Sequence, residues 1–175
     1  NASNTPFRQY KHWVHEGGIS TPLIVHWPKG IAAGRRGTLE HQPGHLIDIM
    51  ATCVDLGGVE YPSEYAGNPI TPLEGASLRP AFTGGDLGRK TPIFWEHEAN
   101  CALRDGKWNF MDCPGSGGWS PPKPNSPERK TLPPVQLYDL EADPGETTNL
   151  GDKHPEQVER LRGILEKFKQ AGRSV

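Results

Sequence analysis

The sequence has no apolar run that approaches the roughly 20 residues of a membrane-spanning helix. It also has no basic excess, because 21 Asp and Glu residues outnumber 19 Lys and Arg residues and the formal net charge is −2. Nucleic-acid-binding domains usually carry a basic face, and this charge balance gives no reason to expect one. The sequence therefore predicts neither a membrane span nor a nucleic-acid partner.

The N-terminus shows none of the features of a targeting segment. It begins Asn1-Ala2-Ser3-Asn4, without an initiating Met, a basic start or an apolar stretch. A secretory signal peptide needs a basic region followed by an apolar one, so none is predicted in this chain. Such a start is more typical of a mature or truncated polypeptide than of a native gene start.

Cysteine is scarce, and its spacing fits no metal site. The three cysteines are Cys53, Cys101 and Cys113, and an odd number cannot be fully paired within one chain. One disulfide, for example between Cys101 and Cys113 across a hairpin, is compatible with the sequence. Three reduced thiols are equally compatible, so the pairing stays open.

Complete catalytic motifs are also lacking. The sequence contains no G-x-S-x-G elbow, no H-E-x-x-H motif, no phosphate-binding glycine loop and no C-x-x-C pair. His12 and His15, with Glu16 beside them, could place two imidazoles on one helical face for a metal. A polar loop at the edge of an active site is the alternative, and we favour it because short motifs often match by chance.

An acidic cluster near the C-terminal end resembles a calcium loop only superficially. Asp139, Glu141, Asp143 and Glu146 lack the glycine and glutamate spacing of an EF-hand. The Asp-Pro-Gly sequence that begins at Asp143 is typical of a turn, in which the Asp side chain binds nearby backbone amides. We therefore interpret the cluster as turn chemistry.

Glycine and proline are abundant, with 21 and 18 of the 175 residues, and they predict long loops between few regular elements. Residues 23–25 (LIV), set between prolines, predict a short, mostly buried strand. Residues 47–56 predict a helix that Asp48 caps and that Gly57-Gly58 ends. A short helical turn is expected at residues 78–82.

The second half predicts more regular structure. Residues 93–95 and 135–140 have the composition of strands, and Asp105-Gly106 between two further apolar runs predicts a two-residue hairpin. Residues 112–134 predict a long loop. Residues 155–169 predict a helix that begins at a proline. Its apolar residues form one stripe at helical spacing: Val158, Leu161, Leu165 and Phe168.

Together these elements predict an α/β protein. Residues 91–175 are expected to form about four antiparallel strands packed on one helix. The first half supplies one strand and one helix, which is too little to close a core of its own. We therefore divide the chain into residues 1–88, the end of a larger α/β domain, and residues 89–175, a small C-terminal subdomain.

Three stretches, in this order, resemble the sulfatase family. The first covers residues 4–11 (NTPFRQYK) and 15–22 (HEGGISTP), in which a lysine precedes Glu-Gly-Gly by five residues. The second covers residues 45–52 (HLIDIMAT), where the family usually has proline in place of Ala51. The third comprises LYDL, DPGE and NL within residues 137–150. The chain thus resembles the C-terminal part of bacterial arylsulfatase-type enzymes over essentially its whole length.

The resemblance implies a mechanism and a catalytic role for Lys11. In this family a formylglycine, made from the first residue of a Cys/Ser-x-Pro-x-Arg motif, attacks the sulfate, and a calcium ion orients it. Lysines and histidines neutralise charge on the sulfate and the leaving oxygen, and Lys11 matches the lysine that contacts the sulfate. The implied fold is the end of an alkaline-phosphatase-like α/β sulfatase domain, and relatives are often periplasmic or secreted.

The same resemblance implies that the rest of the active site lies outside this chain. None of the three cysteines begins the nucleophile motif, and no Ser-x-Pro-x-Arg is present. The family's metal ligands would precede Lys11. We therefore expect no metal ligands in this chain, and calcium and formylglycine only in an intact enzyme that includes the missing N-terminal half. By itself the chain is not expected to hydrolyse sulfate esters.

Further residues are candidates for binding a sulfate-ester substrate, aryl or carbohydrate. His15 neighbours Lys11, and the others belong to the subdomain that borders the pocket in this family: Glu96, His97 and Trp119. Structural packing or hydrogen bonding is the alternative role for each. Two other functions remain open, namely a stand-alone module that binds sulfated glycans and a related hydrolase of phosphate or phosphonate esters. The net charge of −2 disfavours the first, and the C-terminal motifs disfavour the second.

Overall fold

In this computed structural model the chain divides into two units. One unit contains Asn1–Pro22 together with Thr91–Val175, and the other contains Leu23–Lys90. The described residues before Leu23 therefore pack with the C-terminal half. The division into domains at residue 88 stays a prediction. The structure describes residues 5–11, 13–97, 100–112, 133 and 135–171.

In the described part of the chain, the α-helices are Glu16–Ile19 (α1), Ile47–Gly57 (α2) and Pro155–Gln170 (α3). The strands are Glu64–Tyr65 (β1), Asn68–Pro69 (β2), Ile93–His97 (β3), Asn100–Asp105 (β4), Trp108–Asp112 (β5) and Val135–Asp139 (β6). Short 3₁₀ helices cover Ala33–Arg35, Arg79–Thr83 and Gly151–Lys153. Of the helices described, none is long and apolar enough to cross a membrane.

Strands β3 to β6 form one antiparallel sheet in the order β3-β4-β5-β6, which confirms the predicted four-stranded sheet. The register places Phe94 opposite Leu103, and Leu103 opposite Phe110. Directly opposed residues share a face and lie close enough to pack. A row of large apolar side chains therefore crosses the sheet on one face.

The hairpin between β4 and β5 lies one residue later than predicted. Asp105 still pairs with Trp108, so the two loop residues are Gly106 and Lys107 rather than Asp105-Gly106. Gly106 has a φ of 57°. The first position of a two-residue hairpin loop favours positive φ, which glycine adopts without a Cβ clash. The glycine, not the aspartate, therefore sets the turn.

Helix α3 covers one face of this sheet. Leu161 and Leu165 are fully buried, and Phe168 stacks on Phe94 with ring centroids 5.5 Å apart. Val158 packs against the same cluster, which confirms the predicted apolar stripe. The buried sheet residues of this cluster are Phe94, Cys101, Leu103, Phe110 and Leu137.

The start of the chain covers the opposite face of the sheet. We name residues 5–19 the Lys11 segment; residue 12 within it is not described. Val14 of this segment is buried and packs with Ala102, Met111 and Tyr138. Because strand side chains alternate between faces, these residues point away from α3 and need their own cover. The sheet is thus covered on its second face by the Lys11 segment, which the sequence-based division placed in the first half of the chain.

The unit Leu23–Lys90 contains the predicted helix, which ends at Gly58 with a φ of 61°. The predicted cap is wrong, because Asp48 lies inside α2. Its two carboxylate oxygens accept the backbone N–H groups of His45 at 2.7 Å and Ala76 at 2.8 Å, and it forms an ion pair with Arg89. A fully buried carboxylate requires such partners. Asp48 therefore ties α2 to the loops on both sides of it.

The short helical turn predicted at residues 78–82 is confirmed by the 3₁₀ helix Arg79–Thr83. The buried strand predicted at residues 23–25 is wrong, because Ile24 is 90% exposed and the stretch has no strand structure. A strand needs a neighbour for its backbone groups. Among the described residues of this unit, strands β1 and β2 pair only with each other, so neither provides a neighbouring strand for residues 23–25.

Replacing Leu161 with Ala is expected to lower the free energy of unfolding by about 3 kcal/mol, because it opens a cavity between α3 and the sheet. Lys167→Ala, on the exposed side of the same helix, is the matched control and should change stability by less than about 0.5 kcal/mol. Urea unfolding measures both. Equal effects of the two substitutions would contradict the packing of α3 described here.

Candidate active-site loop

Lys11 lies at the corner of a tight turn. The backbone N–H of Trp13 donates to the carbonyl of Tyr10 at 3.1 Å, which closes a turn with Lys11 as its second residue. The Lys11 side chain is exposed. At the base, the N–H of Gly17 donates to the carbonyl of Arg8 at 3.0 Å. Lys11 is therefore presented at the tip of a closed loop.

Two glycines allow this loop to close on itself. A Cβ added at Gly17 would lie 2.2 Å from the carbonyl oxygen of Arg8, and one at Gly18 would lie 2.0 Å from that of Trp13. Both obstacles are backbone atoms, which cannot rotate away as the end of a long side chain can. The Glu-Gly-Gly sequence is thus explained by close packing within the loop.

The base of the loop is tied to the sheet through Glu146. Nη1 of Arg8 donates to the Glu146 carbonyl at 2.7 Å and to the Tyr138 hydroxyl at 3.3 Å. The Glu146 carboxylate accepts the backbone N–H of Glu16 at 2.9 Å and Nδ2 of Asn109 at 2.8 Å. Hydrogen bonds to the backbone and the side chain of Glu146 therefore hold both ends of the loop base, at Arg8 and at Glu16.

Two carboxyl groups lie buried at this base. Burial raises the pKa of Glu146 to about 7, although the hydrogen bonds from Glu16 and Asn109 oppose the shift. Burial also raises the pKa of Glu16, against the influence of Arg104, whose Nη1 lies 3.8 Å from Oε1 of Glu16. The contact between loop and sheet therefore includes a group that changes protonation near neutral pH.

His15, predicted as a substrate contact, is fully buried at the same base. Its Nε2 lies 3.2 Å from Oε1 of Gln136, which also accepts the Tyr138 hydroxyl at 2.6 Å. Because the amide oxygen is an acceptor, this contact is a hydrogen bond in the tautomer that carries its proton on Nε2. Burial lowers the pKa of His15 to about 4, so the ring is neutral at pH 7.

The acidic cluster contains two kinds of residue. Asp143 behaves as the turn interpretation predicts, since its Oδ2 accepts the N–H groups of Thr147 at 2.7 Å and Thr148 at 2.8 Å. Asp139 forms an ion pair with Lys107 at 2.6 Å. Glu146, assigned from the sequence to the same turn, is instead buried against the Lys11 segment. The sequence-based interpretation did not anticipate the burial of Glu146, because turn residues are usually exposed.

Known proteins match this chain over most of its length. An N-acetylgalactosamine-6-sulfatase of Sus scrofa is 31% identical over 93% of the chain. A choline-sulfatase of Rhizobium meliloti is 33% identical over 82% of it, and an N-acetylgalactosamine-6-O-sulfatase of Bacteroides thetaiotaomicron is 28% identical over 93% of it. The chain is a homologue of the C-terminal portion of sulfatases.

The chain spans about a third of the length of its sulfatase relatives: 32% of the Sus scrofa protein and 30% of the Bacteroides thetaiotaomicron protein. No family model matches it. A solved structure from work on glycosaminoglycan metabolism by Bacteroides thetaiotaomicron is 25% identical, with a TM-score of 0.47, and the match covers 70% of this chain and 24% of that one. The finer assignment to the arylsulfatase type stays a prediction.

Two of the three sulfatase-like stretches contact each other. Arg8 and Glu16 belong to the first stretch, whereas Tyr138 and Glu146 belong to the third, about 130 residues later in the chain. No local sequence pattern indicates these contacts. The available signal was that both stretches occur in the pattern of one family. That signal identified neither Arg8 nor Glu146 as a contact residue.

The other residues predicted to line a sulfatase pocket lie in different environments. Glu96 and His97 are exposed at the end of β3. Because strand side chains alternate, Glu96 belongs to the face that α3 covers and His97 to the face that the Lys11 segment covers. Trp119 lies outside the described residues. Substrate contact by any of these residues, or by His15, stays a prediction.

The metal and disulfide hypotheses concern residues in both the described and the undescribed parts of this sulfatase homologue. Within the ranges that the structure describes, no group of three or more His, Cys, Asp or Glu side chains is placed to hold a metal ion. His12, which the metal hypothesis required, lies outside those ranges. Cys101 is buried and Cys53 exposed, whereas Cys113 is not described, so the predicted alternatives for pairing stay open.

Gly17→Ala is expected to lower the free energy of unfolding by more than about 1 kcal/mol, because the new methyl group meets backbone that cannot move aside. Gly163→Ala is the matched control, since a Cβ there meets nothing within 4 Å inside helix α3. It should raise stability by about 0.5–1 kcal/mol. Chemical unfolding measures the free energy of unfolding of both variants. A Gly17→Ala variant more stable than the unaltered chain would contradict the close packing at Gly17.

Replacing His15 with Gln should change how stability depends on pH. The folded pKa of about 4 lies below the ordinary 6.5, so the unfolded chain takes up the proton first as pH falls. Stability from the neutral ring is thus complete above pH 6.5 and is lost between pH 6.5 and 4, by roughly 3 kcal/mol at most.

His15→Gln should remove that loss, whereas His26→Gln, at an exposed histidine, should keep it. The measurement is the free energy of unfolding of each variant and of the unaltered chain from pH 4 to pH 7. If His15→Gln shows the same pH dependence as the unaltered chain, the assignment of a neutral, buried imidazole to His15 is wrong.

Proposed function

We propose that this chain is the part of a sulfatase that presents Lys11 to the sulfate group of its substrate. The proposal depends on one observation: Lys11 is exposed at the tip of a loop whose base is fixed to the sheet. An ammonium group is a compact point charge that suits an anion. A loop that is already fixed loses less conformational entropy when the substrate binds.

The chemistry that Lys11 would supply is electrostatic. Cleavage of a sulfate ester builds negative charge on the leaving oxygen while the sulfate oxygens are already charged. A positive group held in place beside them stabilises the transition state. In this proposal the formylglycine nucleophile and the calcium ligands come from residues outside this chain, in keeping with the absence of a Cys/Ser-x-Pro-x-Arg motif from its sequence.

Helix α2 supports the proposal that this chain belongs to a larger sulfatase. The helix buries polar Asp48 and Thr52, whereas Ile49 and Met50, together with Leu46 just before the helix, are between 42% and 77% exposed. An ordinary surface helix shows the reverse arrangement. A cluster of exposed apolar side chains marks a surface that another protein part covers. The covering part is proposed to be the remaining two thirds of the length seen in relatives.

The proposed substrate class is a sulfate ester. The matched relatives are named for N-acetylgalactosamine 6-sulfate and choline sulfate. A carbohydrate sulfate therefore is the first substrate to test, and an aryl sulfate is a convenient chromogenic probe of the same bond.

The test compares Lys11→Ala with the unaltered sequence in a sulfatase that joins this chain to its preceding part and is co-expressed with a formylglycine-generating enzyme. Turnover of a chromogenic aryl sulfate with calcium is expected to show kcat/KM reduced at least about 100-fold. Lys167→Ala removes an exposed lysine far along the chain and should leave kcat/KM unchanged.

Equal activity of Lys11→Ala and Lys167→Ala would contradict the proposed role. Turnover of phosphate or phosphonate esters in preference to sulfate esters would instead assign the protein to a related hydrolase. Binding of sulfated glycans by this chain, with no turnover by the longer protein, would favour a binding module. Hydrolysis of sulfate esters by this chain alone would show that the nucleophile is not outside it.

A further inference from the structure

We propose that Glu146 is a positioning residue for Lys11, which holds the Lys11 segment on the sheet during the sulfatase reaction. The proposal rests on the role proposed above for Lys11. Glu146 does not itself touch the substrate in this account, because its side chain is fully buried. Its effect on the reaction is exerted through the loop that carries the lysine.

Residue 146 binds the loop on both sides of its base. Its carbonyl oxygen accepts Nη1 of Arg8, and its Oε2 accepts the backbone N–H of Glu16 at 2.9 Å. Arg8 and Gly17, the neighbour of Glu16, are the two residues whose backbone hydrogen bond closes the loop. Removing the carboxylate therefore frees the end of the loop base that leads into α1, while the carbonyl contact with Arg8 remains.

On the sheet side, the same carboxylate binds an interior strand. Its Oε1 accepts Nδ2 of Asn109, which is fully buried on β5 and directly opposite Tyr138 of β6. Strand β5 lies between β4 and β6, so it is paired along both edges. One carboxyl group thus connects the loop base to a fixed part of the sheet, as a support for a functional loop must.

The turn before Glu146 directs its side chain inward. Glu146 has a φ of 53°, which is uncommon for a residue other than glycine. Its N–H donates to the carbonyl of Asp143 at 3.1 Å, while the Asp143 carboxylate binds the amides of Thr147 and Thr148. A left-handed residue of this kind persists where its surroundings fix it, and such residues are common at functional sites.

The charged and titratable groups around the Glu146 carboxyl come from every element packed against it. They are Arg8 of the Lys11 segment, Glu16 of α1, Arg104 of β4 through Glu16, and Tyr138 of β6. The neighbouring Glu16 adds like charge, which favours the protonated form of Glu146, whereas Arg8 favours the charged form.

This environment predicts a pH dependence of loop docking. The docked carboxyl has a pKa of about 7, against an ordinary value of 4.5 once the loop opens. Between pH 4.5 and about pH 7, the Glu146 carboxyl is deprotonated when the loop is open but still protonated when the loop is docked. Docking is therefore most stable below pH 4.5 and weakens as pH rises to about 7, which is opposite in direction to the His15 contribution.

The first measurement is hydrogen exchange of the Glu16 amide in the full 175-residue chain, because this N–H donates to Glu146. Glu146→Ala should speed its exchange at least about ten-fold relative to amides of α3. Glu141→Ala removes an exposed carboxylate in the same turn and is the matched control, with no change expected.

Glu146→Gln is the conservative variant. Its amide oxygen can accept the Glu16 N–H, and its amide nitrogen can donate to Asn109 once that side chain turns over. It should keep slow exchange of the Glu16 amide while it removes the Glu146 contribution to the pH dependence. Should Glu146→Ala fail to fold, Glu146→Asp replaces it, because a carboxylate one methylene shorter cannot reach both donors.

The second measurement is turnover by the longer sulfatase. Glu146→Ala should lower kcat/KM roughly 10- to 100-fold, as expected for a displaced loop. In a Lys11→Ala background the same change should have no further effect, because the lysine to be positioned is gone. A merely structural role would lower activity in both backgrounds.

The outcomes separate this proposal from the one it rests on. Unchanged exchange of the Glu16 amide in Glu146→Ala, or an equal loss of activity in the two backgrounds, overturns the positioning role. If Lys11→Ala alone leaves turnover intact while Glu146→Ala frees the loop, the role of Lys11 is wrong and Glu146 only docks the segment.

Discussion

A four-stranded sheet with apolar side chains on both faces needs a cover on each face, and the described residues of the unit that contains it form one long helix. Helix α3 buries the face of Leu103, Phe110 and Leu137. The other face is covered by the Lys11 segment, through Val14. This constraint determines the position of Lys11, because the segment that completes the core is the segment that carries the lysine.

The regular elements of the second half could be predicted from the sequence because each has a local cause. The apolar stripe of α3, the proline at its start and the alternating strands need only neighbouring residues. The strand predicted at residues 23–25 failed because strand formation depends on a partner, which composition does not reveal. Asp48 was misplaced for a similar reason: its partners Ala76 and Arg89 are distant in sequence.

The candidate site was predictable in part. The spacing of Lys11 and Glu-Gly-Gly identified the loop, yet the sequence placed this loop with the first half and suggested His15 as a substrate contact. The structure buries His15 against Gln136 and reveals Glu146 as the partner of the loop. These contacts join residues more than 100 positions apart, so no local pattern contains them. Burial of charged groups is itself uncommon, which made an exposed turn the natural expectation for Glu146.

The proposed role of this chain is that a loop docked on the C-terminal sheet brings Lys11 to the sulfate group. The most direct measurement is a crystal structure of the longer sulfatase with a sulfate ester bound. Nζ of Lys11 is expected to lie within hydrogen-bond distance, about 2.7–3.2 Å, of an oxygen of the sulfate group, with the Glu16 amide still bound to Glu146. A sulfate group bound out of reach of Lys11, with the loop docked as described here, would contradict it.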